Sequence, residues 1–322
     1  MAIHFIDKIH NITKNVNIIK NKTQHNNLNK VTSNGVYTIS SKKMCKTIAL
    51  FTMCFYLCGC SSDALNLDSV QNTSSTTNAQ VTVLGIGKAD CTVIQTTNSV
   101  VMIDTGTEED FDTIADFLDE NDITTINTLI ITHFDKDHVG SAADIIENYS
   151  VESVYTTWYE AKESDEIDNF HDALDDADKE EILVEDTTTL DIDGITYTIY
   201  PPETDSYEAN ESNNSSLVIL MSDGDTNILF AGDAQEERIA ELLEIDGLSA
   251  DIIKMPHHGG FEENLQELLK KISAKDAIIT NVEEDVDDDT INLLDELSIN
   301  TYITDENNVT ISITADGYSI NE

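Results

Sequence analysis

The sequence predicts an α/β (α+β) fold in which two sheets pack face to face and helices cover the outside. Three observations carry this. Short apolar strands come first as meanders, then alternate with amphipathic helices, and the whole pattern recurs in the second half. Turn signals separate the strands: Asn98-Ser99, Asp193-Gly194, Asp223-Gly224 and Asp316-Gly317. Each strand-rich half also carries its own helices, so the uncovered sheet faces must bury one another. No solenoid-type short repeat is present.

The elements follow in order. Val81-Thr82-Val83-Leu84 reads as a strand, and Thr92–Thr96 and Val100–Ile103 as a hairpin. Phe111, Ile114, Ala115 and Leu118 have helical spacing. Leu129–Thr132 is an apolar strand, Ala142–Tyr149 a helix with Ser141 as its candidate N-cap, and Val151–Thr156 a strand. Residues 160–181 are highly acidic with a weak helical period and read as a surface insertion. Hairpins follow at Thr188–Leu190 with Ile195–Tyr200, and at Leu217–Met221 with Asn227–Phe230. Helices over Ala234–Leu243, Asn264–Ile272 and Thr290–Leu297 alternate with strands Ala277–Ile279 and Thr301–Ile303. A hairpin of Val309–Ile313 with Tyr318–Ile320 closes the chain.

The charge is uneven. Of 17 basic residues eight lie in residues 1–60, beside a single acidic residue, Asp7. The remainder holds nine basic and 61 acidic residues. Such a surface repels nucleic acid and anionic lipid, which argues against tight binding of long nucleic acid. It reads as a solvated acidic surface, with divalent-cation binding as a further expectation. Cys45, Cys54, Cys58 and Cys60 crowd into one apolar segment and only Cys91 lies beyond it, so the body has no internal disulfide and no cysteine-rich zinc site.

The first 80 residues read as an address. Lys42-Lys43 precedes an apolar run of 11 residues, 47–57, where about 20 are needed to span a bilayer. Leu57-Cys58-Gly59-Cys60 resembles the lipobox of bacterial lipoproteins. That resemblance implies cleavage before Cys60, diacylation of its thiol and export to the extracytoplasmic face of the cell membrane. An uncleaved signal anchor is the alternative. The expected organisation is a mis-called upstream extension over 1–43 with Met44 as the true start, a lipoprotein signal peptide over 44–60, a flexible Ser/Thr/Asn-rich tether over 61–80 and a folded domain over 81–322.

His133-Phe134-Asp135-Lys136-Asp137-His138 is where the chemistry concentrates. Four metal-ligand side chains occupy six residues on a loop leaving a buried strand. They repel or desolvate one another unless a cation sits between them. An acidic solvated loop with two incidental histidines is the alternative from these residues alone.

His133-x-Asp135-x-Asp137-His138 resembles the H-x-H-x-D-H signature of the metallo-β-lactamase fold, with Asp135 in place of the second histidine. Met102-Ile103-Asp104-Thr105-Gly106 resembles the family's early D-T-G motif, Phe230-Ala231-Gly232-Asp233 its later G-D motif, and Lys254-Met255-Pro256-His257-His258-Gly259 its last histidine motif. Three further stretches look like the hydrolase-like domain of bacterial competence channel proteins of the ComEC type. These are Gly85-Ile86-Gly87-Lys88-Ala89-Asp90, Asn213-Asn214-Ser215-Ser216 and Thr304-Asp305-Glu306-Asn307-Asn308. The resemblance spans about residues 81–320.

It implies a four-layer αββα sandwich of the metallo-β-lactamase type holding one or two divalent metal ions, zinc or manganese. His133 and Asp135 would face one ion, Asp137, His138 and His257 the other, and Asp233 would bridge. Asp104 would brace the loop by hydrogen bonding. Hydrolysis would proceed by metal-activated water, with Asp137 as the candidate catalytic residue. Of the pair His257-His258, His257 is the expected ligand; His171 reads as a surface residue. Turn or helix capping is the alternative for Asp104 and for Asp233.

One family histidine has no counterpart, and Asn213-Asn214 lie where it belongs. An asparagine carbonyl binds transition metals more weakly than imidazole, so the first position becomes oxygen-rich and favours Mn²⁺ or Mg²⁺ over Zn²⁺, or is weakly held. Lys254, Lys270, Lys271 and Lys275 lie close to His257 in sequence and are candidate contacts to a substrate phosphate.

The expected function is an exported, lipid-anchored hydrolase of phosphodiester or related ester bonds, acting on a small-molecule or nucleotide-like substrate. A small-ester, thioester or lactone hydrolase is one alternative. A binding module that kept the fold and lost the chemistry is the other.

Overall fold

Two twisted sheets form the centre of the molecule in a computed structural model that describes residues 78–160, 164–305 and 307–322. The expected extension over 1–43, the signal peptide over 44–60 with Cys60, and the tether up to residue 77 lie outside the described residues. The first sheet has eight strands in the order β15-β14-β1-β2-β3-β4-β5-β6. Its members are β1 (Gln80–Val83), β2 (Thr92–Gln95), β3 (Val100–Ile103), β4 (Thr125–Ile130), β5 (Ser150–Thr156), β6 (Ile182–Leu183), β14 (Val309–Thr314) and β15 (Gly317–Asn321). The second has seven in the order β13-β12-β11-β10-β9-β8-β7. They are β7 (Thr188–Ile192), β8 (Ile195–Tyr200), β9 (Val218–Asp223), β10 (Thr226–Phe230), β11 (Ile252–Lys254), β12 (Asp276–Ile279) and β13 (Asn300–Ile303).

Strand alternation separates the buried surface into three apolar layers. In β9, Ile219 and Met221 face the other sheet, while Val218 and Leu220 face helices. In the β4 region Ile130 faces the other sheet, while Leu129 and Ile131 face the helices on the first sheet. Successive side chains point to opposite faces, so a strand apolar on both must be covered on both. The helices α1 (Phe111–Glu120), α3 (Ala142–Asn148) and α4 (Asp165–Asp176) close the outer face of the first sheet through Ile114, Leu118, Ile145 and Phe170. The helices α6 (Glu236–Glu244), α7 (Leu265–Ile272) and α8 (Asp288–Leu297) close the second through Ile239, Leu242, Leu268 and Leu294. The result is the four-layer αββα sandwich. Among the described residues no helix is long and apolar enough to cross a membrane.

The acidic stretch 160–181 is more than a surface insertion. Its described part contains α4, whose N-cap Ser164 accepts from the Ile167 backbone N–H. Ile167, Phe170, Ala173 and Leu174 are buried, and the Phe170 ring meets Phe134 edge-on at 5.9 Å between centroids. Acidic residues coat the other side, which diluted the helical period in the sequence. Ser141 holds the N-cap position of α3, as expected, but its side chain makes no capping bond; its hydroxyl donates to the Thr107 carbonyl at 2.5 Å. Strand β11 and the one-turn helix α5 (Glu211–Asn214) are additions, both too short to show a period.

Strands β3, β4 and β5 run parallel, with Met102 opposite Leu129 and Leu129 opposite Val154. Strands β10 to β13 are parallel too, with Leu229 opposite Ile253. Parallel strands deliver their carboxyl ends, and the loops that follow, to one side of a sheet.

Candidate metal centre

The motif loops all leave carboxyl ends of these parallel strands. The chain continues from β4 through Ile131 and Thr132 to His133, which is fully buried. The one-turn helix α2 (Lys136–Val139) then places Asp137 and His138. Backbone N–H groups of His138 and Val139 donate to the Asp135 carbonyl and hold that turn closed.

Asp104, just after β3, organises the loop from behind. Its carboxylate accepts from the Thr132 backbone N–H and the Thr132 hydroxyl, each at 2.7 Å. Its Oδ2 lies 2.9 Å from His138 Nδ1, so His138 Nε2 turns toward the centre.

The second sheet supplies the remaining groups. Asp233 follows β10 through Gly232, whose φ is +54°, and a Cβ there would come within 2.9 Å of Ser216 Cβ. The Asp233 N–H donates to Ser216 Oγ at 3.0 Å. After β11, His257, His258 and Gly259 are three successive left-handed residues, with φ of +47°, +52° and +81°. Two non-glycine residues in that region cost on the order of 1–3 kcal/mol each, a strain typical of functional sites. The turn aims His258 inward and leaves His257 on the rim. His258 Nδ1 lies 3.1 Å from the Thr280 carbonyl, which fixes its ring, while His257 is partly exposed with Nδ1 3.9 Å from Glu262. The inward residue is therefore His258, and the expectation of His257 is corrected: only His258 is buried against the Asp233 and Asp137 carboxylates.

The groups converge tightly. Asp233 Oδ1 lies 3.2 Å from His138 Nε2, and Asp233 Oδ2 lies 3.2 Å from His258 Nε2 and 4.0 Å from His133 Nε2. Asp137 Oδ2 is 3.4 Å from His258 Nε2, and Asp135 Oδ2 is 3.7 Å from His133 Nε2. The Nε2 atoms of His133, His138 and His258 and the Oδ1 of Asp233 are buried without a hydrogen bond. Orphaned buried polar atoms are costly unless something else partners them. Four such atoms pointing at one place fit a divalent cation with mixed nitrogen and oxygen ligands.

The electrostatics agree. Burial lowers the His258 pKa, but the charge of Asp233 and the close carboxylates of Asp137 and Asp90 push it up to about 10. Burial likewise opposes the charged form of His138, and Asp233, Asp104 and Asp90 raise its pKa well above the ordinary value. Burial would raise Asp233, yet His138 and His258 hold it well below the carboxylate range. The surrounding carboxylates thus favour positive charge on His138 and His258, the same charge that a bound cation would bring. Asp135, despite burial, is brought down to about 2 by the nearby His133 ring and the hydrogen bond from the Ser212 hydroxyl.

The sequence profile described as Metallo-beta-lactamase superfamily matches residues 84–280. The chain belongs to this superfamily. It has the superfamily's metal-dependent hydrolase-like fold, and its His/Asp clusters are able to hold metal. It is also 28% identical over 169 residues to ComE operon protein 3 of Bacillus subtilis (strain 168). That match covers 51% of this chain and 21% of the relative, so the chain spans about a fifth of the relative's length. Among solved structures, the metallo-beta-lactamase fold protein YhfI from Bacillus subtilis aligns with a TM-score of 0.49 at 12% identity, covering 70% of this chain and 96% of that one. CmlA, a diiron beta-hydroxylase from Streptomyces venezuelae, aligns with a TM-score of 0.41 at 16% identity, covering 62% and 44%.

Within this member of the superfamily the structure brings His133, Asp135, Asp137, His138 and Asp233 together and sets Asp104 behind them. Neither asparagine stands in for the missing histidine. Asn214 Oδ1 accepts from the backbone N–H groups of Gln235 and Arg238 at the start of α6, and Asn213 Nδ2 donates to Gln235 Oε1. Ser212 reaches the cluster instead, its hydroxyl 2.5 Å from Asp135 Oδ1. The lysines do not form a phosphate patch. Lys254 is buried in an ion pair with Asp90, Lys275 Nζ meets Asp251 Oδ1 at 2.7 Å, and Lys270 and Lys271 lie on α7. His171 is partly exposed between Glu160 and Glu181, its ring 6.4 Å from that of Phe134, and it is not among the converging groups. Sequence reasoning passed over Ser212, Thr280 and the roles of Asp90 and Lys254. Asp90 ends the stretch 85–90, but nothing local to it shows what it meets.

Proposed function

We propose that the chain is a metal-dependent hydrolase of phosphodiester or related ester bonds, exported and lipid-anchored through Cys60. The observation that carries the reading is the set of four orphaned buried atoms on His133, His138, His258 and Asp233. His138, His258, Asp137 and Asp233 would hold one divalent ion, and His133, Asp135 and Asp233 a second. A divalent ion bound there supplies a Lewis acid and acidifies water, the chemistry hydrolysis needs.

The chain's own residues do the rest. Asp104 and Thr280 hold His138 and His258 by their Nδ1 atoms, so that both Nε2 atoms face the centre. Asp137, partly exposed at the mouth, is the carboxylate placed to take up or orient a proton at its Oδ atoms. The resemblance of the motif set to the ComEC-type hydrolase-like domain favours a phosphodiester substrate over a β-lactam, and the acidic surface favours a small, nucleotide-like one. At the Asp135 side one imidazole meets carboxylates, a hard donor set that favours Mn²⁺ over Zn²⁺.

A binding module without catalysis is the second reading. It is favoured by the Ser212 hydroxyl on Asp135, which already occupies one oxygen of the second position.

The test is metal content of the full chain purified without chelator, followed by hydrolysis of bis(p-nitrophenyl) phosphate and p-nitrophenyl acetate with Mn²⁺ or Zn²⁺. One or two equivalents of metal, with phosphodiester cleavage abolished by Asp137→Ala, support the proposal. Ester cleavage alone selects the small-ester alternative, and metal without hydrolysis of either probe selects the binding module. Absence of metal even after loading overturns the reading. Lipid anchoring is checked by metabolic palmitate labelling, which Cys60→Ser must abolish.

A further inference from the structure

Asp90 and Lys254 form a buried ion pair that the proposed chemistry does not use. Asp90 sits in the loop between β1 and β2. Its backbone N–H donates to the Asp137 carbonyl at 3.0 Å, and its own carbonyl accepts from Gly106 at 2.8 Å. Its side chain lies behind the cluster. Oδ1 accepts from the Thr280 hydroxyl at 2.5 Å and stands 3.4 Å from His258 Nδ1. Oδ2 stands 3.8 Å from His138 Nδ1 and takes the Lys254 ammonium. Lys254 also donates to the Gly232 carbonyl at 3.4 Å and approaches Asp233 Oδ1 to 3.9 Å.

One carboxylate therefore backs two imidazoles that reach the site from opposite sheets. His138 comes from the loop after β4 and His258 from the turn after β11. Burying an ion pair gives little net stability, because the desolvation of both charges offsets their attraction. An apolar pair of similar volume would hold the two sheets as well. Asp90 also has the position to be a ligand, since with Asp233 and His258 it makes one of the groups able to hold an ion. A neighbouring ammonium opposes a second cation at that spot.

We infer that Asp90 and Lys254 are a positioning pair for the metal centre: Asp90 sets the placement of His138 relative to His258, and Lys254 holds Asp90 behind the rings and out of the cation position. The inference rests on the metal-binding reading above. Neither residue is assigned contact with substrate.

The experiment compares the full chain with Asp90→Asn, Lys254→Met and the double variant. Metal affinity is measured by titration against a chelating indicator with Mn²⁺ and Co²⁺. Coordination is read from the Co²⁺ visible spectrum, and folding from circular dichroism. Asp90→Asn is expected to lose about 10–100-fold in affinity, the usual effect of removing a group that orients a ligand, together with a lower melting temperature from the unpaired Lys254 ammonium. Lys254→Met is expected to change the Co²⁺ spectrum, because the released Asp90 carboxylate now competes as a ligand. The double variant leaves no buried unpaired charge, so it keeps the fold, restores the parental spectrum and retains the lowered affinity of Asp90→Asn. Variants that bind metal with parental affinity and spectrum, differing only in melting temperature, would make the pair structural and overturn the inference. A parental chain that binds no metal would instead overturn the reading on which it rests.

Discussion

Asp104 Oδ2 lies 2.9 Å from His138 Nδ1 while the same carboxylate accepts from the Thr132 N–H and hydroxyl. Three buried donors from the motif loop thus depend on one side chain from the preceding strand end. Asp104→Ala leaves them unsatisfied and should destabilise the fold by about 1–3 kcal/mol in urea denaturation. The same variant should bind Mn²⁺ about 10–100-fold more weakly, because His138 loses its orienting partner. Parental affinity in a folded Asp104→Ala chain would deny the bracing role.

His257 and His258 make a paired comparison. His258→Ala should lose tight metal binding, since it removes a buried inward Nε2. His257→Ala should keep the affinity, because its ring lies on the rim. Equilibrium dialysis of both variants decides it; the opposite ranking would show that the left-handed turn reads differently in solution.

Metal affinity should rise with pH. The neighbouring carboxylates push His258 up to about 10, well above the ordinary imidazole value, so a metal that binds its ring at neutral pH must expel a proton. The stability this protonated ring gives the metal-free fold is fully present below about pH 6.5, its unfolded value, and is lost as pH rises through about 10. Calorimetry in two buffers of different ionisation enthalpy should show proton release on binding at pH 8. Heats independent of the buffer would contradict it.

Gly232→Ala should destabilise. The position has a φ of +54°, and an added Cβ would lie 2.9 Å from Ser216 Cβ and 3.2 Å from Thr132 Cβ. Backbone strain alone is worth on the order of 1–3 kcal/mol. The clash also moves Asp233, so metal affinity should fall along with the denaturation midpoint. A midpoint equal to the parent's would show that the loop yields at no cost.

Phe170→Ala tests whether the acidic stretch belongs to the core. The ring is fully buried against Phe134, whose neighbours in sequence are His133 and Asp135. A loss of about 3–5 kcal/mol is expected. A change below about 1 kcal/mol, the range of surface substitutions, would mean that α4 is peripheral.

Strand and helix positions were legible where a run was long enough to show its period, as in α1, or was bracketed by a turn dipeptide, as in β7 and β8. Strand β11 has only Ile252 and Ile253 as apolar residues, so no period could appear. Helix α4 was obscured because acidic residues cover its exposed side. Ser141 has the chemistry of a cap, but its hydroxyl found the Thr107 carbonyl first. Asn213 and Asn214 sit at the right place in the chain, yet their amides are taken up by Gln235, Arg238 and the start of α6.

The sequence by itself determined the layered α/β architecture and the clustering of His133, Asp135, Asp137 and His138. Both are local: periodicity sets which face is buried, and six consecutive residues on one loop cannot separate. Only the tertiary structure decided what meets that loop. Asp233, Lys254 and His258 come from the ends of parallel strands in the second sheet, and Asp90 from the loop between the antiparallel β1 and β2. The choice of His258 over its neighbour rests on which ring the turn buries against Thr280 and Asp233, which two adjacent identical side chains do not encode.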